Sequence, residues 1–442
     1  MQFALKIDYF GLFPDTQYRT KMNTKKNSSY KIFRFLKILG PGLVTGASDD
    51  DPSGIATYSQ AGAAYGLSTL WTALITFPLM ASIQEMCARI GLVTSCGLAG
   101  TIKTNYSKPV LYLMLLFSFP AIVMNIGADI AGMGAVGNLL IPSVKATYFS
   151  IAFTIILLVL IIYLPYQKIA AILKYLCLVL LVYLIVPFLY KQDWVAVLKS
   201  TFIPTIKFDK NFISILVAIL GTTISPYLFF WQTTMEAEDM KRKKKYLVVN
   251  KKIMLDMKQD VDFGMLFSNL VMFFIILTTG SVLFNANIHK IDTVEQAAQA
   301  LKPLAGNAAY LLFAVGVIGT GLLAIPVLSG SLSYIITESF GWKEGLDKKF
   351  HKAKAFYIIM AISLILGLLL NYIGISPIKA LIYSAILYGL TSPVLIAIIL
   401  HISNNKKIMG KNTNGTISNI LGFAALVLMT IAGVILIYLQ LA

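Results

Sequence analysis

Charge is scarce in this chain. Of 442 residues only 13% are Asp, Glu, Lys or Arg, where a water-soluble domain carries about a quarter, and the deficit excludes an ordinary soluble domain. Cysteine is nearly missing too. Cys87, Cys96 and Cys177 are odd in number and lack zinc spacing, so they imply neither a disulfide framework nor a metal cluster. The three histidines, His289, His351 and His401, fall between apolar runs or at their ends, which leaves no histidine proton relay within a membrane. Long polar stretches are also absent. The largest, 235–258 and 286–303, are too short to fold as domains. No basic end followed by an apolar core opens the chain, so no cleavable signal is read. Residues 1–30 read either as a flexible cytoplasmic tail or, in part, as the product of an upstream start.

Hydrophobic residues make up 57% of the chain. Runs of ~20 apolar residues recur, each long enough to cross ~30 Å of hydrocarbon as a helix. They are too long and too uniform for barrel strands, and backbone groups in lipid must bond internally. The expected class is an all-α polytopic membrane protein. Eleven spans are expected near 36–66, 68–92, 109–139, 147–165, 168–190, 211–234, 259–285, 304–336, 353–372, 376–400 and 416–440. Residues 1–35 would be a cytoplasmic N-terminal tail and 36–442 a single transmembrane domain.

The net charge of +17 raises the question of nucleic acid, and its placement answers it. Lys and Arg gather before the first span, at Lys241–Lys245, over Lys343–Lys354 and at Lys406–Lys411. Counted from a cytoplasmic N-terminus, these segments lie on the inner side, which makes the charge a topology signal. The partner expected is the lipid bilayer of the plasma membrane, with no nucleic acid. The Lys241–Lys245 run reads as a solvated inner loop or as a contact with anionic lipid. Nothing in the sequence speaks to oligomeric state.

Two spans contain breakers. The first carries "SDDDPSG" (Ser48–Gly54) and the sixth "GTTISP" (Gly221–Pro226). Proline removes a helix hydrogen bond and clashes with the preceding turn. Interrupted spans at corresponding places in two halves point to inverted repeats with a site at the midplane; two chance kinks, or a surface loop at the aspartates, are the competing readings. An ionised aspartate in lipid costs ~3 kcal/mol even on the gentlest scale, so three in a row must line water, bind cations or sit at an interface. Asp51 stands directly at the break and is the candidate ligand. On helical spacing Asp49 and Asp50 point elsewhere, to line an entrance or to attract cations. Thr222 and Ser225 flank the second break with hard oxygens, which suit magnesium, calcium or manganese over softer metals. Hydroxyls in membrane helices also bond their own backbone, the competing reading for both.

Other acids are few. Glu85 has Arg89 one turn later, the spacing of a local ion pair. Asp129, in "NIGADIAGMG" with Asn125 one turn back, needs a partner or water, while its glycines suit close helix packing.

From "LGPGLVTGASDDDPSG" through "IQEMCARIGLVTS" and "NIGADIAG" to "GTTISPYLFFWQ", the chain resembles the Nramp divalent-metal transporters, and within them the Nramp-related magnesium transporter branch. The resemblance implies a leucine-transporter-like fold of five-plus-five inverted repeats, here about 36–190 and 211–400, with an extra helix at 416–440. It implies a metal site between the first and sixth spans. The family's Asp-Pro-Gly-Asn falls on Asp51, Pro52, Ser53 and Gly54, so the aspartate stays and the asparagine is lost. The family's alanine and methionine fall on Thr222 and Ser225, which removes the soft donor. Its two histidines become Tyr227 and Gln232, and its third-span glutamate becomes Gly132 while Asp129 stays, changes that resemble loss of proton coupling in the magnesium branch. By the same resemblance Ser48 and Gly54 add carbonyl or water-mediated contacts. The metal set implied is Asp51, Gly54, Ser48, Thr222 and Ser225.

The expected function is a carrier, not an enzyme, importing Mg²⁺ and also Mn²⁺ by alternating access without protons. The ion is cargo, and no cofactor is implied. The alternatives are a proton-coupled Mn²⁺/Fe²⁺ symporter and, more remotely, a sodium-coupled organic-solute symporter or an intramembrane aspartyl hydrolase.

Overall fold

The computed structural model describes residues 40–163, 178–189, 192–242 and 249–441. They belong to one compact unit, Ile38–Ala442. Among the described residues every regular element is a helix. Helices of eight residues or more are α1 (Pro41–Asp49), α2 (Pro52–Tyr65), α3 (Trp71–Thr94), α4 (Leu98–Asn105), α5 (Lys108–Leu140), α6 (Ala146–Tyr163), α7 (Val182–Leu189) and α8 (Trp194–Phe202). They continue with α9 (Lys210–Thr223), α10 (Pro226–Arg242), α11 (Lys251–Val282), α12 (Ala309–Phe340), α13 (Lys354–Leu370), α14 (Pro377–Asn404) and α15 (Thr416–Leu441).

Eight described helices have the length and apolar composition to cross a membrane, with α9 and α10 taken as one. The expected first span is absent from that set because it is two short helices, α1 and α2. Helix α3 has the length, 24 residues, but is too polar for the set. The expected tail, the first part of the fifth span (168–177, with Cys177) and Lys243–Lys245 lie outside the described residues.

Both expected breaks are present and are tighter than their motifs. α1 stops at Asp49, Asp50 turns, and Asp51 is extended (φ −71°, ψ 170°) before α2 starts at Pro52. α9 stops at Thr223, and α10 restarts at Pro226. Each proline thus opens the second half-helix, where its missing N–H costs nothing and its fixed φ suits the helix. Asp51 caps α2 by accepting the Gly54 amide at 2.8 Å, the ordinary role of an aspartate at a helix start.

Small residues set how the broken helices pack. A Cβ built on Gly46 of α1 would lie 2.1 Å from the Gly264 carbonyl oxygen of α11. One built on Gly221 of α9 would lie 2.1 Å from the Ala385 carbonyl oxygen of α14. Backbone meets backbone at both places, the close approach that membrane helices use in place of a hydrophobic drive. Each broken helix is therefore clamped to an unbroken one beside its gap.

Candidate metal site

The two breaks meet. A Cβ on Gly54 of α2 would lie 3.3 Å from Thr222 Oγ1 of α9 and 3.5 Å from the Asp49 carbonyl oxygen. Asp51, Gly54, Ser48, Thr222 and Ser225 are all buried. The first turn after one gap thus faces the last turn before the other, with the Asp51 carboxylate beside them.

Helix α5 completes the arrangement. Asn125 donates from Nδ2 to Asp51 Oδ2 at 2.8 Å and to Asp129 Oδ2 at 3.3 Å. Its own Oδ1 accepts from Ser384 Oγ of α14 at 2.8 Å. One amide therefore ties two carboxylates together and is itself held by a third helix. Asp129 is buried, and its Oδ1 has no hydrogen-bond partner. Sequence reasoning placed Asn125 one turn from Asp129 but did not see it reach Asp51.

The hydroxyls behave differently from one another. Ser225 Oγ donates to the carbonyls of Gly221 and Thr222, and Ser48 Oγ donates to the Val44 carbonyl at 2.8 Å. Both hydroxyls return to their own backbone, as short polar side chains in helices do. The Ser48 carbonyl in turn accepts from Tyr227 Oη at 2.8 Å. Ser48 thereby belongs to the link between α1 and α10. Tyr58 Oη and Thr223 Oγ1 lie 3.1 Å apart and join α2 to α9.

Asp49 and Asp50, also buried, turn to α11, where the hydroxyl of Ser268 lies 2.6 Å from Asp49 Oδ2 and 3.3 Å from Asp50 Oδ1. Gly132, where the resemblance expected a glutamate, faces Leu381 at 3.1 Å and Pro52 at 3.7 Å from its Cβ position, an apolar setting. Glu85 pairs with Arg89 at 3.1 Å, away from the breaks. Among the described residues no three His, Cys, Asp or Glu side chains are grouped to hold a metal ion. An ion here would meet one carboxylate, neutral oxygens and water, a donor set suited to a hard cation that keeps part of its hydration.

Two broken helices crossing at a buried carboxylate inside a helical membrane protein define a secondary transporter. The chain belongs to the Nramp family: residues 42–439 match the family described as natural resistance-associated macrophage protein-like. It is 24% identical over 413 residues to the divalent metal cation transporter MntH of Caldanaerobacter subterraneus subsp. tengcongensis, covering 92% of this chain and 94% of that one. With the protein of the same name from Klebsiella pneumoniae subsp. pneumoniae it shares 26% over 403 residues, covering 88% and 91%. The fold is similar to a crystal structure of the Eremococcus coleocola manganese transporter (TM-score 0.71, 18% identity, 93% of this chain and 88% of that one). It is also similar to Mhp1, a nucleobase-cation-symport-1 family transporter in a closed conformation (TM-score 0.56, 12% identity, 89% and 92%). The chain is a multi-pass membrane transporter and not an enzyme.

Proposed function

We propose that this chain carries divalent metal ions across the plasma membrane by alternating access, with Mg²⁺ the main cargo, Mn²⁺ a second one and no proton coupled. That cargo is the one expected of the magnesium branch of its family. Relatives named for divalent metal and for manganese support the cargo class. The observation that carries the choice of ion is the meeting of Gly54 with Thr222 beside Asp51. The family's asparagine and methionine are both missing there, and hard oxygens favour magnesium over softer metals. Asp51 supplies the charge. Thr222, and the main chain at Ser48, Gly54 and Ser225, supply oxygens or hold the ion's water. The N-terminus faces the cytoplasm by the distribution of lysine and arginine.

Protons are unnecessary for such uptake. A divalent ion moving through 100 mV gains ~4.6 kcal/mol, twice the ~2.3 of a single charge. That corresponds to roughly a thousandfold accumulation or more. A second reading, a proton-coupled Mn²⁺ carrier, draws on Asp129, whose free Oδ1 and link to Asp51 through Asn125 suit a proton acceptor.

The test is flux into proteoliposomes with the lumenal pH followed at the same time. Mg²⁺ uptake at constant lumenal pH that is lost in Asp51→Asn is expected. Uptake indifferent to that substitution removes the site, and lumenal acidification during Mn²⁺ entry selects the second reading.

A further inference from the structure

We infer that Asp49 and Asp50, with the hydroxyl of Ser268, form a second divalent-cation site beside the one at Asp51. The inference rests on the cation-carrier reading above and gives a task to two acids which that reading leaves idle.

The two carboxylates, neighbours at the end of α1, meet at a single oxygen, Ser268 Oγ, at 2.6 and 3.3 Å. A hydroxyl has one proton to donate, so it serves one carboxylate at a time. The other oxygens, Asp49 Oδ1 and Asp50 Oδ2, are buried and have no hydrogen-bond partner.

The same fold shows what a provided-for acid looks like. Asp51 has an N–H donor on each oxygen. Asp260, two turns before Ser268 on α11, accepts three backbone amides, from Gly40, Gly42 and Leu43, at 2.8, 2.7 and 3.2 Å. Asp49 and Asp50 have no such donors. Nor do they have a counter-charge: the ion pairs among the described residues are Glu85–Arg89, Lys258–Asp262 and Lys290–Asp292. Buried polar oxygens left open in this way are costly unless something fills them.

A cation fills them. Two carboxylates make a divalent ion the electroneutral occupant, and an all-oxygen donor set suits Mg²⁺ or Mn²⁺. The carbonyl end of α1, which carries the negative end of its helix dipole, adds to the attraction. The second site lies on the α1 side of the break, where it receives an ion leaving Asp51 as α1 moves.

The experiment is equilibrium binding of Mn²⁺ to the purified full chain, with free Mn²⁺ counted by electron paramagnetic resonance. Two ions per chain are expected for the wild type. One is expected for the double variant Asp49→Asn/Asp50→Asn, and one for Asp51→Asn. Ser268→Ala is expected to weaken the second ion about tenfold, the lower end for loss of a supporting group. A wild-type stoichiometry of one, kept with unchanged affinity in the double variant, overturns the second site and leaves the Asp51 reading standing. A wild type that binds no Mn²⁺ overturns both. If the double variant binds nothing, its melting temperature and the two single variants decide. A folded protein that has lost both ions means one shared site and overturns the proposal.

Discussion

Asp260 and Gly42 lie 218 residues apart, yet the Gly42 amide donates to Asp260 Oδ2 at 2.7 Å. With Gly40 and Leu43 on the other oxygen, one side chain of α11 caps the free start of α1, a role that a residue just ahead of the helix normally fills. The cap holds only while α1 lies against α11.

Loss of that cap should loosen α1. A missing N-cap costs ~0.5–2 kcal/mol, and a change of one or two kcal/mol moves a two-state balance roughly five- to thirtyfold. In a background with Cys96→Ser, a cysteine at Ala47 should react with a water-soluble maleimide faster by about that factor once Asp260→Ala is added. An unchanged rate would mean that α1 is held by other contacts.

Asn125 should act on affinity. Asn125→Leu keeps the bulk and removes the donor shared by Asp51 and Asp129. A hydrogen bond to a charged group contributes ~1.5–3 kcal/mol, so the KM for Mg²⁺ should rise roughly ten- to hundredfold in initial-rate flux. A shift below threefold would assign Asn125 to packing alone.

Ion choice should respond to position 225. Ser225 Oγ is spent on its own backbone, so Ser225→Met costs no cargo ligand and adds a soft sulfur. Uptake of Cd²⁺ relative to Mg²⁺ should increase by about tenfold or more, as thioethers favour softer ions. Gly54→Asn, whose Cβ position has a tight but open contact with Thr222 Oγ1 at 3.3 Å, should favour Mn²⁺ over Mg²⁺ in a competition assay.

Glu85 offers the opposite outcome. It holds Arg89 at 3.1 Å and accepts Ser418 Oγ at 3.2 Å, while Arg89 Nη1 reaches the Thr413 carbonyl at 3.2 Å. Breaking a buried pair leaves one charge uncompensated and costs ~3–5 kcal/mol. Glu85→Gln should therefore lower the melting temperature by several degrees while leaving the KM for Mg²⁺ as it is. A raised KM with an unchanged melting temperature would move Glu85 into the transport path.

The breaks were legible because proline and polar residues interrupt apolar runs, and a helix cannot pass a proline without losing a bond. The Glu85–Arg89 pair was legible from its spacing alone. Other features hid for identifiable reasons. α11 was expected to begin near 259 but begins at Lys251, because Lys251, Lys252, Asp256 and Lys258 dilute the apolar signal. The cue was Asn250, whose side chain accepts the amides of Lys252 and Ile253. At Ser225 the sequence left a hard oxygen donor and a hydroxyl bonded to its own backbone side by side, and local pattern could not choose between them; the hydroxyl bonds the carbonyl four residues back. Ser268 and Asp260 act across some 220 residues of chain, a distance over which local pattern carries no information.

The nine residues of α1 form a rod of only ~14 Å, and one pivoting at Asp50 through ~30° carries its tip ~7 Å. That stroke is short. Such a swing would be largest at the end where Asp260 holds on, so it would first unfasten the tip, while the hinge beside Asp51 would barely travel. Cargo held at the pivot can stay in place while the far end swings clear.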